Sequence, residues 1–168
     1  GFNFKSPHTG LAAKKAWFFF DKEYVCLGTD ISSRMKYPVS TTVNQCILNG
    51  EVTVSETKGI DVQKQGVRNI DGAQWVIHDN VGYYFPQKEN ITLLNQKVSG
   101  SWSIANRQTS TPKETVEQEV FTLSIDHGAH PDKGDYAYIV IPSTDRSSIE
   151  RLVREARIVS LATNKELQ

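Results

Sequence analysis

The sequence predicts an all-β fold, an antiparallel β-sandwich with one short α-helix near the C-terminus. Three observations carry this. Apolar and polar residues alternate in short runs along most of the chain, and Gly, Pro and Asn separate the runs. A single stretch repeats its apolar residues at the helical period. The aromatic run Trp17-Phe18-Phe19-Phe20, placed on a strand, points alternately to opposite faces, so both faces of that sheet call for cover. Strands this frequent argue for stacked sheets rather than βαβ units, with more protein against them than one small sandwich provides.

The elements follow in order. AWFFF (16–20) and EYVCLG (23–28) flank Asp21-Lys22 and read as a hairpin. VSTTVNQCIL (39–48) sets Val39, Thr41 and Val43 against Ser40, Thr42 and Asn44, the pattern of a half-buried strand. EVTV (51–54) follows the turn signal Asn49-Gly50. QWVIHD (74–79) and VGYYFP (81–86) form a second hairpin around Asp79-Asn80. ITLLNQKVSGSWSI (91–104) reads as one long strand, bent or bulged at Ser99-Gly100. VEQEVFTLSI (116–125) and YAYIVIP (136–142) complete the main set. SSIERLVREARI (147–158) is the helix: Ser147 and Glu150 suit a capping box, and Ile149, Leu152, Val153 and Ala156 share one face. IVSLAT (158–163) then reads as a returning strand. The polar stretches 58–69 and 106–117 are the expected flexible links, and no internal domain boundary is visible, so residues 1–168 read as one domain.

Composition narrows the function classes. The chain has 168 residues, enough for one substantial core, and no apolar run long enough to span a bilayer. Lys plus Arg and Asp plus Glu number 19 each, which argues against a segment whose main task is to grip a nucleic acid or another polyanion, local patches aside. A chain that begins with Gly1 rather than Met, with no signal-peptide pattern, is expected to be a processed or excised piece. Cys26 and Cys46 form no CxxC motif; each sits in an apolar run, so two buried free thiols are expected, with one disulfide as the alternative.

The densest polar stretch is DHGAHPDKGD (126–135). His127 and His130 with Asp126, Asp132 and Asp135 have the composition of a metal or acid–base site. Three-residue spacing in a loop broken by Pro131 and Gly134 fixes no common direction, so a polar connecting loop is the expected reading, with a metal site or a catalytic His127 as alternatives. Trp102 is the candidate substrate-binding residue, as an exposed platform for a sugar ring; core or groove wall is the competing reading. Lys14-Lys15 and the pair Arg34, Lys36 are small basic spots, read as solvated strand ends. Asn90-Ile91-Thr92 fits a glycosylation pattern that matters only in a eukaryotic secretory route. No phosphate loop, GxSxG motif or distinguishable carboxylate pair is present.

Several long motifs, in order, resemble a known family. AAKKAWFFFDKEYVCLGTDISS (12–33), TTVNQCILNG (41–50), WVIHDNVGYYFP (75–86), SGSW (99–102) and FTLSIDHGAHPDKGDYAYIVIP (121–142) look very like the central β region of family 8 polysaccharide lyases. That family includes chondroitin AC, hyaluronate and xanthan lyases; Lys14-Lys15 beside WFFFDKE points to the chondroitin AC branch. The resemblance implies a multi-sheet β super-sandwich, galactose mutarotase-like, set between an α/α-toroid and a smaller C-terminal β domain. It implies β-elimination at a uronic acid: an Asn neutralises the carboxylate, and a Tyr–His pair serves as base and acid. Those residues belong to the toroid, and a supporting Glu and a calcium site belong upstream of the KKAWFFF motif, so no catalytic or metal residue carries over to this chain.

The expectation is therefore a structural segment of a secreted or periplasmic bacterial lyase acting on acidic polysaccharide. It touches a toroid and a C-terminal domain, holds no cofactor of its own, and leaves calcium to the parent enzyme. A non-catalytic carbohydrate-binding module is the alternative. A mutarotase-like epimerase has only fold kinship behind it, since neither His78 nor His127 pairs with a Glu in the sequence.

Overall fold

The computed structural model describes residues 1–106 and 108–155. Ten antiparallel strands dominate it: β1 (Phe2–Lys5), β2 (Ala12–Phe19), β3 (Tyr24–Ser32), β4 (Pro38–Ile47), β5 (Val52–Glu56), β6 (Gly59–Val62), β7 (Gly66–His78), β8 (Val81–Gly100), β9 (Val116–Ala129) and β10 (Gly134–Ile141). A single helical turn, α1 (Trp102–Ala105), and one longer helix, α2 (Arg146–Glu155), complete the set.

The strands form one sheet that folds over itself. Its long path runs β1-β2-β3-β10-β8-β7-β5-β6, while β9 joins the far half of β8 and β4 lies outside β9. Strand β8 serves both arms. Its first residues pair with β7 and β10 (Val140↔Tyr83, Tyr83↔Val76), and its later ones pair with the start of β7 and with β9 (Ile91↔Ile70, Ile91↔Ile125). The bend between them falls where the β7 register shifts twice around Ala73, beside Gly72 (φ 70°) and opposite Lys88 (φ 56°). The sequence reading placed this bend at Ser99-Gly100, but those residues continue in register with Glu117 and Val116. Strand β8 ends instead at Ser101, whose hydroxyl accepts a hydrogen bond from the Ser103 amide and starts α1. Residues 102–104 are therefore helical, not strand.

The two arms enclose the main core. Phe121, Leu123 and Ile125 of β9 and Ile91 and Leu93 of β8 meet Cys26, Val54, Val76, Phe85, Tyr136 and Tyr138 from the long path. Burying each such side chain contributes about 1.5–3 kcal/mol. A second cluster lies on the opposite face of the long path, where Ile149, Leu152 and Val153 of α2 cover Trp75, Tyr84, Ile139 and Ile141. The aromatic run alternates as expected. Phe18 pairs with Val25 on the α2 side, and Trp17 with Cys26 on the β9 side, yet all four aromatics stay exposed, Phe19 at 77%.

Other local expectations fared unevenly. The 79–80 hairpin has both turn residues left-handed, Asp79 at φ 48° and Asn80 at φ 60°, the geometry that matches strand twist. Stretch 58–69, read as a flexible link, is instead edge strand β6 and the start of β7; Arg68 fastens it by ion pairs to Glu56 and to Asp61, the latter at 3.1 Å. Helix α2 begins one residue earlier than predicted. Its cap is Asp145, which accepts from the Ser148 amide at 2.8 Å and the Ser147 hydroxyl at 2.9 Å, while Glu150 pairs with Arg146 at 2.8 Å rather than closing a capping box. A carboxylate at the positive helix end displaces the Ser. Ala156 and the IVSLAT strand expectation lie outside the described residues.

Candidate functional site

The histidine loop is built by β9, β10 and the 129–133 connection. His127, half-buried on β9, places Nε2 2.8 Å from Thr41 Oγ1 on β4, and its ring lies 6.1 Å from Tyr136. Burial pushes its pKa below the usual histidine value; Asp126 and Asp135 oppose that shift, and Lys15 adds to it. A neutral imidazole held against a hydroxyl links the neighbouring strands β4 and β9 of the short arm. His130 takes the left-handed conformation (φ 54°) after Gly128 (φ 72°) and faces solvent on another part of the surface, beside Lys5 and Arg34. The two histidines do not converge, and among the described residues no group of three His, Cys, Asp or Glu side chains is placed to hold a metal ion. His127 belongs to strand β9 and His130 to the turn that follows it.

A second polar cluster, around His78, escaped the sequence reading. His78 stacks on Phe121 at 4.3 Å, its Nε2 accepts the Asn49 amide at 3.0 Å, and its Nδ1 faces Cys46 Sγ at 3.7 Å. Asn44 donates to the Tyr83 hydroxyl at 2.5 Å and contacts Cys46 Sγ at 3.6 Å. Because Nε2 is an acceptor, Nδ1 carries the proton and points it at sulfur. Burial lowers the His78 pKa, raises that of Cys46 and pushes Tyr83 up to about 12. A base already protonated on the side of its thiol, beside a thiol held neutral, is no nucleophile pair. The cluster satisfies buried polar groups where the arms meet. The only sequence signal was His78 in an apolar strand.

Both cysteines are free thiols, Cys26 fully buried and Cys46 partly so. Glu89, at the sheet bend, has its pKa raised by burial; the Ala137 amide opposes that shift, and Asp135 adds to it. Its carboxylate lies 3.5 Å from the Ala137 amide. Trp102 is 65% exposed on α1, which excludes the core reading; Ile104, on the same turn, is exposed as well. These two sit at the tip of a two-stranded ribbon, because beyond Asn95 and Ile47 the ends of β8 and β9 pair with each other alone.

Comparison with known proteins shows what this β scaffold is similar to. The chain is 40% identical over 161 residues to the chondroitinase-AC of Pedobacter heparinus, covering 96% of the chain and 23% of that protein. A solved chondroitinase AC lyase, studied as oligosaccharide complexes, superposes with a TM-score of 0.81 at 39% identity, over 90% of the chain and 22% of the lyase. The Paenibacillus xanthan lyase superposes at 0.88 with 28% identity, over 96% and 16%. The chain thus spans less than a quarter of the length of these relatives. The model for the super-sandwich domain of polysaccharide lyase family 8 matches residues 1–153, and the chain belongs to that family.

Proposed function

We propose that this chain is the structural super-sandwich of a bacterial lyase that cleaves uronic-acid polysaccharides of the chondroitin and hyaluronan type by β-elimination. The observation that carries it is the 40% identity to a chondroitinase-AC across nearly the whole chain. In such a reaction a base removes the proton beside the uronate carboxylate, the glycosidic oxygen at C4 leaves, and an unsaturated sugar remains. The largest barrier is charge building on the carboxylate, which calls for fixed cationic or hydrogen-bonding groups around it. The described residues hold no base paired with an acid, so the reading assigns catalysis, and any calcium, to the rest of the parent enzyme. This segment buttresses the catalytic domain and walls its cleft. Polymers of this kind lie outside cells, which supports a secreted or periplasmic enzyme.

The test follows ultraviolet absorbance of the unsaturated product from chondroitin and hyaluronan. The parent enzyme is expected to turn over and the isolated chain to be silent; reproducible turnover by the isolated chain, abolished by a point substitution, sinks the assignment. The exposure of Trp102 favours one second reading, a non-catalytic carbohydrate-binding module. Calorimetric binding of neutral glycans by the isolated chain, lost in Trp102→Ala, would establish it.

A further inference from the structure

Of the basic residues read as solvated strand ends, Lys14 and Arg34 come together with Lys5 and Lys133 at one end of the sandwich. Three loops build the place: 6–11 between β1 and β2, 33–37 after β3, and 130–133 before β10. The first closes on itself, and the other two are bonded to each other. The Ser6 amide bonds the Leu11 carbonyl at 2.8 Å, and the Ser33 amide bonds the Pro131 carbonyl at 2.9 Å. Between them lies a concavity of about 460 Å³ lined by Lys5, Arg34 and His130. An adjoining hollow of about 340 Å³ shares Ala12, Ser32 and Asp132 with it and adds Lys133.

Arg34 is exposed, with its stem passing over Gly10. Gly10 is left-handed (φ 67°), and a β-carbon there would stand 3.3 Å from Arg34 Cδ and 3.4 Å from Cγ, so the bare glycine lets the arginine stem lie across the loop. Lys14 of the second hollow is occupied by Asp30 at 3.1 Å. Among the described residues no carboxylate is within ion-pair distance of Lys5, Arg34 or Lys133; Asp132 lines both hollows, and Asp30, paired with Lys14, lines the second. In a chain of zero net charge, three unneutralised cations around one lined groove are a local field suited to an anion. The planar guanidinium adds a fork that fits two oxygens of one carboxylate or sulfate.

The geometry points to an anion-binding exosite, formed by Lys5, Arg34 and Lys133, that takes carboxylate or sulfate groups of an acidic polysaccharide away from the reaction centre. It rests on the lyase reading for the polymer, and the field and the groove stand apart from it. A long chain held here and at the reaction centre together gains affinity from the linkage, while a short oligosaccharide reaches one site alone.

The test uses the full-length enzyme with Lys5→Ala, Arg34→Ala and Lys133→Ala combined, each pair of those substitutions, and Lys58→Ala with Lys64→Ala as a control matched in charge to the pairs, at the β5–β6 edge. Two readouts are taken: the salt needed to elute each protein from immobilised chondroitin sulfate, and KM for long chondroitin sulfate relative to its tetrasaccharide. The triple variant is expected to elute at lower salt and to raise the polymer-to-tetrasaccharide KM ratio about fivefold, three exposed pairs together being worth ~1 kcal/mol. Arg34→Lys is expected to restore part of the retention. Elution with the wild type, or a shift in the Lys58 and Lys64 control equal to that of the pairs, overturns the site. So does a fall in thermal stability with no change in retention, which assigns the cations to domain packing. Retention that depends on these residues without turnover upholds the site and sinks the lyase reading instead.

Discussion

Adding one methyl group at Gly28 probes the packing of the YAY strand. Gly28 on β3 pairs with Tyr136 on β10, and a β-carbon there would lie 2.1 Å from Tyr136 Cε1 and 2.5 Å from Cζ. Ordinary carbon–carbon contact is about 3.5–4.0 Å, so the ring must retreat by about 1.5 Å. It has nowhere to go: Tyr136 is 4% exposed and stacked against Tyr138 at 5.6 Å, with His127 on its other side. Overpacking of this kind costs ~1–3 kcal/mol, against the ~0.5–1 kcal/mol that Ala gains over Gly in a strand. Gly28→Ala is therefore expected to destabilise by about 1–2 kcal/mol. In a Tyr136→Ala background the clash is gone and only the backbone gain remains, so the same methyl should stabilise by about 0.5 kcal/mol. Equilibrium urea unfolding of the four proteins, followed by fluorescence that includes the buried Trp75, measures the cycle. An equal effect of the methyl in both backgrounds would refute the packing account.

Two further outcomes follow from the buried polar groups. His78 and His127 both have folded pKa values lowered by burial, so the folded protein binds fewer protons than the unfolded chain. Their contribution is complete above the unfolded value of about 6.5 and is lost as pH falls through the folded values. Urea midpoints should therefore drop between pH 7 and pH 5, and His78→Phe should flatten part of that drop; an unaltered slope in the variant contradicts the assignment. The thiols give the other outcome. Burial raises the pKa of both Cys26 and Cys46, so a disulfide-exchange reagent should react slowly with native protein and count both thiols after unfolding without reductant. Rapid native reaction, or no thiols on unfolding, speaks against it.

What the sequence discloses, and what it conceals, divides by how far apart the deciding residues lie. The strand interior of β9 is legible because Phe121, Leu123 and Ile125 are buried and the residues between them are not, a period-two pattern written in one segment. The Asp79-Asn80 turn is legible for the same reason, since both residues tolerate left-handed backbone. The bend of β8 is not, because it is set by irregular pairing between two strands, with one extra residue on β7 between Ile70 and Ala73 and three on β8 between Tyr84 and Glu89. Stretch 58–69 looked like a link for want of apolar alternation, but β5 and β8 supply its backbone partners and Glu56 its ion pair. The site shows the same division in sharper form. His127 and His130 stand three residues apart and are separated in space by two left-handed residues, Gly128 and His130 itself. Lys5, Arg34 and Lys133 are scattered along the sequence and are gathered by loop closure.

The aromatic run at 17–20 marks the boundary between these cases. Its alternation is a local property, and the structure honours it along β2: Trp17 and Phe19 pair with residues of the β9 side, Phe18 with Val25 of the α2 side. Its cover is a long-range property. On the β9 side the groove beside Trp17 is floored by Phe2, Phe4 and Ala13 and walled by Val39 and Thr41 of β4, the outermost strand of the short arm. That arm is too narrow to reach β1 and β2. On the other side α2 covers Trp75 and Ile139 and leaves Phe18 and Phe20 exposed. Large aromatics left in water on both faces of one strand lose the burial that would stabilise them most, and adjacent exposed apolar side chains on a sheet invite further protein. The four letters WFFF thus state which two surfaces need burying, and only the identity of what buries them is a matter the local code does not carry.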